Sequence, residues 1–229
     1  MFRISSPLLY AVLLLLIVAA YLPVWHNGFV DFDDDWYITR NPMVVQGMSW
    51  SGTWWALTTF HGSYLQPVTW LSLQLDATLF GDPSSPGDAG DLSIIDPMQA
   101  KSFHAQSPAD DPVLNPTGLR AAGFHAENVL WHAANVLLLF GLLQRLTASR
   151  WRSFLVAALV GLHPMRVESV AWAVERKDVL AIFFGLLAVW AYVRYVEAPS
   201  RRRYQLILLA FLLSLLAKPI LMPKRHSWP

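Results

Sequence analysis

Cysteine is absent from the 229 residues, which excludes a disulfide framework, a thiolate metal site and a thiol nucleophile. Charge is scarce too: 14% of residues are charged against 55% hydrophobic, and the mean hydropathy is +0.37. So little charge excludes an ordinary soluble domain and points to a chain that faces lipid. The formal net charge of +1 gives no sign of a nucleic-acid partner, and none is expected, because the charges are segregated by segment. A phosphate-binding glycine loop, a paired-histidine zinc helix and a Gly-x-Ser-x-Gly elbow are also missing. Nothing therefore suggests nucleotide-sugar binding on a soluble fold, and a donor, if there is one, arrives through the membrane.

What is present begins with an uncharged run between Arg3 and Asp31. Its part from about Pro7 to Trp25 is long enough to cross about 30 Å of hydrocarbon at 1.5 Å per residue. A cleavable signal peptide, cut after Val18-Ala19-Ala20, is the alternative. Residues 26–124 then form a long polar segment whose 11 acids are all Asp, against Arg40, Lys101 and Arg120. Its first half carries Trp36, Trp50, Trp54, Trp55, Phe60 and Trp70, which suit helices lying on a bilayer surface. The stretch from about 81 to 123, with six Pro and five Gly, reads as an irregular insertion. Further spans are expected over His125–Leu146, Ser153–Val174, Val179–Val196 and Tyr204–Met222. Arg166 and Glu168 interrupt the third, which suggests a short span capped by an interfacial helix.

The expected fold is all-α: a polytopic transmembrane bundle of about five spans with a large outer-face loop carrying interfacial helices. Its divisions are 1–25 (first span), 26–124 (outer loop), 125–222 (four further helices) and 223–229 (tail). The bases Arg3, Arg145, Arg150, Arg152, Arg194 and Arg201–Arg203 fall in segments that the positive-inside bias places in the cytoplasm. The 26–124 loop and the 164–178 connection then lie outside. Arg166, Arg176 and Lys177 break the bias on that outer face, which suggests a use such as binding a lipid phosphate, with paired surface charges as the alternative. An integral, multi-pass protein of a bacterial inner membrane with a periplasmic loop is the resulting expectation.

Four groups could carry chemistry. Asp33, Asp34 and Asp35 follow the first span directly; adjacent carboxylates repel, so one has a raised pKa or a hard divalent cation neutralises them. A solvated acidic turn is the alternative. His125, Asn128, His132 and Asn135 recur at i, i+3, i+7 and i+10, a stripe about 80° wide on one helix. Such a stripe belongs in the bundle interior or a wet cavity, where helix–helix hydrogen bonding competes with a ligand role. His163, before the helix-breaking Pro164, and Glu168 could share a cavity with the acids, and Arg176 could meet a phosphate. Lys218 is either a snorkelling residue or a phosphate partner.

In order and spacing these segments resemble the N-terminal part of GT-C class membrane glycosyltransferases. The likeness is strongest to those coupled to tetratricopeptide repeats, relatives of protein O-mannosyltransferases. The matching stretches are Gly28–Asp35 with Asn41-Pro42, Gln66–Ser72, His125–Asn135, His163–Trp172, Glu175–Asp178 and Ala217–Pro219. Gln66 stands where many members carry His, and no repeat of about 34 residues is visible, so a truncated member is expected. The resemblance implies transfer of a sugar from a polyprenyl-phosphate carrier to an outer-face acceptor, a protein hydroxyl or a glycan. It implies Asp34 and Asp35, then Asp33, at the reaction centre with Glu168. His163, Arg176, Lys218, His125 and His132 would shape the site or bind substrate. The competing expectations are a non-catalytic membrane scaffold and a protein that binds or transports the lipid carrier.

Overall fold

The structure, a computed structural model, describes residues 6–30, 32–60, 64–81 and 118–219. Asp31, most of the 81–123 insertion, the end of the fifth expected span and the 223–229 tail lie outside these residues.

The described residues are helical, without strands. α1 (Ser6–Tyr21) is apolar all round and ends where Leu22-Pro23 tightens the chain into a 3-10 turn. The acids enter a wide turn over Asp35–Thr39. α2 (Pro42–Val45) starts on Pro42, with the Asn41 side chain accepting from the Met43 N–H at 3.1 Å. α3 (Trp50–Thr58) is capped by Ser49, whose hydroxyl accepts from the Gly52 N–H at 3.0 Å. α4 (Pro67–Phe80) again begins on Pro.

α5 (Ala121–Thr147) starts at Ala121 rather than His125, because Gly123 lets the helix seat directly on the Phe80 ring. A Cβ at 123 would come within 2.2 Å of that ring. α6 (Arg150–Leu162) stops before Pro164, which forces His163 into extended backbone. After a 3-10 turn, α7 (Val167–Ala171) resumes at 55° to α6. The third expected segment is therefore a helix that breaks at Pro164, with Arg166 and Glu168 just past the break. α8 (Arg176–Glu197) and α9 (Arg201–Ala217) form the last pair.

Among the described residues three segments, Ser6–His26, Ala121–Thr147 and Ala173–Glu197, are long and apolar enough to cross a membrane, and the bent α6–α7 pair makes a fourth if it is one broken span rather than a re-entrant loop. α9 has 17 described residues. Successive rods alternate in direction. One end of the bundle is marked by the Gln144 Nε2–H donating to Ser6 Oγ at 2.9 Å and by the Arg145–Glu197 pair. The other is marked by the Thr69 hydroxyl donating to the Ala217 carbonyl at 2.9 Å and Arg176 donating to that of Phe124, also at 2.9 Å. The first is called the inner end and the second the outer end, after the orientation expected from the bases.

Leu9, Leu13, Ile17 and Tyr21, spaced four apart, bury one face of α1 against Val129, Ala133, Val136 and Phe140 of α5 and Ala157 of α6. The first half of the outer segment folds over the outer end as a second core. There Tyr37 stacks on Trp70 at 4.9 Å, Trp55 meets Trp70 edge-on, and Phe124, Ala173 and Val174 close the base. Trp50 and Trp54 of α3 remain exposed.

Candidate functional site

The outer end is built around three polar groups that reach across the chain. First, Asp34 is shut away from solvent. Its Oδ2 accepts from the Val30 N–H at 2.9 Å and its Oδ1 from the Val174 N–H at 3.0 Å, so it staples the first outer turn to the entry of α8. Burial pushes its carboxyl up to about 6, against the lowering effect of those two amides, with Asp33 adding repulsion. Asp35 is also buried, its Oδ1 accepting from the Trp36 N–H at 2.6 Å. Asp33 is only half-buried. Among the described residues no group of three His, Cys, Asp or Glu comes together in a way that could hold a metal ion.

Second, Arg176 is fully buried with every N–H committed. Its Nε–H donates to Asn128 Oδ1, Nη1 to Ser72 Oγ at 2.7 Å and Glu127 Oε2 at 2.8 Å, and Nη2 to Asp76 Oδ2 at 2.6 Å and the Phe124 carbonyl at 2.9 Å. The resemblance puts a phosphate on Arg176; in this arrangement it has no donor left to offer one. It instead locks α4, α5 and α8 together. Asp76 and Glu127, to which the motifs assign no role, are its counter-charges. The signal is in the sequence: Asp76 is the lone charge in the otherwise uncharged run Pro67–Phe80, a position where an acid requires a partner.

Third, the polar stripe of α5 faces the interior, all four members buried. Asn128 donates to the Trp172 carbonyl at 2.8 Å and Asn135 to that of Val179 at 2.9 Å. His125 Nε2 lies 3.2 Å from the Gly28 carbonyl and His132 Nε2 lies 2.9 Å from that of Gly161. A carbonyl can only accept, so in both rings Nε2 carries the proton. Each of the four therefore ties α5 to a neighbouring backbone, and His132 and Asn135 also line a cavity.

The other expected site residues lie nearer the surface. His163 is exposed and its Nδ1 accepts from the Met165 N–H at 3.2 Å, capping the turn after α6; Glu168, further along the same connection, is exposed too. Lys218 pairs with Asp178, and with Glu175 at 3.7 Å. Lys177 pairs with Glu175 at 2.8 Å and lies 5.3 Å over the Tyr37 ring. The acid run and the His163–Asp178 segment thus meet at one end through the Asp34–Val174 hydrogen bond and the Phe32–Trp172 ring contact.

An all-α bundle with several apolar rods, capped at one end by carboxylates and a buried ion knot, defines an integral multi-pass membrane protein. Comparison with known proteins gives the resemblance expected from the motif order. The chain is similar to the protein O-mannosyl-transferase TMTC1 of Mus musculus, 28% identical over 175 residues, covering 72% of this chain and 14% of the relative. It is also similar to TMTC1 of Homo sapiens, 34% identical over 82 residues, and to the protein O-mannosyl-transferase Tmtc2 of Drosophila melanogaster, 34% identical over 80 residues. Each of these two matches covers 35% of this chain, and 9% and 8% of the respective relative. The chain thus spans a small fraction of the length of the curated relatives it matches. No family profile matches the chain, and no solved structure matches it.

Proposed function

We propose that the chain forms the outer-end reaction centre of a membrane glycosyltransferase. It transfers a sugar, mannose by the names of the relatives, from a polyprenyl-phosphate carrier to a protein hydroxyl outside the membrane. The observation that carries this reading is the similarity to relatives named protein O-mannosyl-transferase, one over 72% of the chain at 28% identity and others over 35% at 34% identity. The geometry supports it by binding the acid run rigidly to the outer end of the spans.

In this reading the acceptor oxygen attacks the anomeric carbon from the face opposite the carrier. The bond from that carbon to the phosphate oxygen breaks, and the phosphate leaves with the electron pair. The hydroxyl proton passes to a carboxylate. Asp33 takes that role, because it alone of the three adjacent acids is open enough to meet an acceptor. Asp34, enclosed and doubly hydrogen-bonded, is a positioning residue that fixes the turn on which Asp33 and Asp35 sit. In this reading Asp33 faces the acceptor, and the membrane delivers the donor.

The test is transfer from a polyprenyl-phosphate sugar to a Ser/Thr peptide by the membrane-embedded protein. Asp33→Asn is expected to lower kcat by about 10²–10⁴-fold with little change in KM for the peptide, the range for a lost general base. Asp33→Glu should recover part of it. Turnover by Asp33→Asn equal to wild type would reject the assignment. If Asp34→Asn alone abolished transfer, the role of base would move to Asp34.

A further inference from the structure

α8 and α9 are clasped at two levels, and a cavity of about 400 Å³ opens between the clasps. Toward the outer end the Ser214 hydroxyl donates to the Ala181 carbonyl at 2.7 Å. At the inner turn Arg203 Nη1 donates to the Arg194 carbonyl at 2.8 Å and to that of Ala198. The walls are apolar, with Phe184 and Leu187 on α8 and Leu206 and Leu213 on α9; Ala191 and Ala210 are too short to fill the space. On α8 the cavity runs from Phe184 to Arg194, and on α9 from Leu213 to Arg203. Either path is about 15 Å at 1.5 Å per residue, half of a hydrocarbon core of about 30 Å and so the depth of one leaflet.

Arg194 and Arg203 stand at the inner mouth of this slot. Arg194 is exposed, and among the described residues its guanidinium makes no hydrogen bond and no ion pair. Arg203 spends Nη1 on the turn and keeps Nε and Nη2 uncommitted. Glu197 is close enough to feel both charges, but its two oxygens are held by Arg145. It is also the sole acid after Asp178, against Arg194 and Arg201–Arg203 in the same turn. The slot is therefore apolar along its length and cationic, without counter-charge, at headgroup level. That pattern complements one acyl chain and the acidic head of a bilayer phospholipid. A small soluble anion would leave the apolar walls unused, and a zwitterionic lipid would bring its own cation to the two guanidinium groups.

We infer that the α8–α9 slot holds an acidic glycerophospholipid of the leaflet at the inner end, its head on Arg194 and Arg203 and one acyl chain over Ala191 and Ala210. The guanidinium fork can hold two phosphate oxygens at once. The bound lipid fills the gap between the clasps and fastens α9 to α8. This site lies at the opposite end of the bundle from Asp33 and Asp34, and neither the proposed reaction nor its substrates enter the inference.

The experiment counts lipid bound to the intact chain in a neutral detergent by native mass spectrometry. The probes are phosphatidylglycerol and phosphatidylcholine with the same two acyl chains. Phosphatidylglycerol is expected to bind at one per chain, at least about tenfold more tightly than phosphatidylcholine, the worth of a charge-assisted hydrogen bond. Arg194→Gln, at an exposed position that the fold does not use, should remove that preference. Arg152→Gln takes the same charge from the same end but outside the slot, and should leave it intact. Ala191→Leu, which fills the slot and keeps both arginines, should weaken both lipids. Equal affinity for the two lipids in the wild-type chain would overturn the inference, as would wild-type binding in both Arg194→Gln and Ala191→Leu. A loss in Arg152→Gln as large as that in Arg194→Gln would also overturn it, since the attraction would then belong to the basic end as a whole and not to this slot. No transfer is read, so the outcome here and the outcome of the transfer assay are independent.

Discussion

The two ends of the bundle are held in opposite ways. At the outer end Arg176 faces Asp76 and Glu127 with its guanidinium wholly enclosed, and the Asp34 carboxyl is buried in the fold of the same end. At the inner end Arg145 and Glu197 make a pair of good geometry whose side chains are 38% and 42% exposed. The difference is desolvation: a charge taken out of water must find its counter-charge and hydrogen bonds inside the protein, whereas an exposed pair has water as an alternative partner. The outer end is therefore where substitutions should matter most, and it is also the end that carries the candidate chemistry.

The largest expected effect follows from removing the knot. Arg176→Ala leaves Asp76 and Glu127 facing each other without a cation and strips Asn128 Oδ1 and Ser72 Oγ of their donor. A loss of about 3–5 kcal/mol is expected, the cost of breaking a buried pair from one side. Arg176→Lys should recover only part of it, since three ammonium donors cannot replace five in a planar fork. Unfolding in detergent, followed by helicity, measures both. A drop no larger than that of an inner-end variant would erase the contrast between the ends.

Asp34 gives the next largest effect, and its sign is unusual for a carboxylate. Its folded pKa, about 6, lies above the ordinary 3.8, so between these values the folded chain binds more protons than the unfolded one. Stability from this group is therefore fully present at low pH, falls as pH rises from about 4 to about 6, and is flat above. A carboxyl raised this far changes stability by at most about 3 kcal/mol across that window. Asp34→Asn should remove that slope. The thermal midpoint of both proteins between pH 4 and pH 8 checks it, because groups common to the two cancel in the difference. Parallel curves would mean that Asp34 is not buried as described.

Between the two ends, Gly161 brings α6 against α1 and α5. A Cβ there would lie 2.6 Å from Ile17 Cδ1 and 2.8 Å from Val136 Cγ2. Isoleucine can swing its terminal methyl aside, but the branched valine has little room on a helix. Gly161→Ala is expected to cost about 1–3 kcal/mol by overpacking, and Gly161→Ala with Val136→Ala should recover part of that in the same unfolding measurement. No recovery in the double variant would place the clash elsewhere.

How much of this was legible depends on the range of the interaction. The spans and the interior-facing stripe of α5 could be read because hydropathy and the 3.6-residue period are local properties. The break at His163-Pro164 was legible for the same reason. Arg166 and Arg176 could not be told apart, since both are outer-face bases in one connection. What separates them is α4, about 100 residues earlier in the chain, whose Ser72 and Asp76 reach Arg176 and not Arg166. Likewise His125 and His132 read equally well as ligand groups and as tethers; the carbonyls of Gly28 and Gly161 that occupy them come from segments whose approach no local pattern encodes. The half-buried Asp33 and the enclosed Asp34 are neighbours in sequence, and of the two amides that hold Asp34 one, that of Val174, lies 140 residues away.

The smallest expected effect tests the inner end. Arg145 donates to Glu197 through both Nε and Nη2, the bidentate form that gives an ion pair its best geometry. If geometry alone set the value of a pair, Arg145→Ala should rank with Arg176→Ala. Exposure argues otherwise: water solvates the released Glu197, salt screens the attraction, and two long side chains regain their freedom. The expectation is an unfolding midpoint indistinguishable from wild type at physiological salt, with Glu197→Ala and the double variant the same within error. A clear drop in both single variants, absent the matching drop in the double, would show that the inner end is locked as firmly as the outer one. Burial would then not be what distinguishes them.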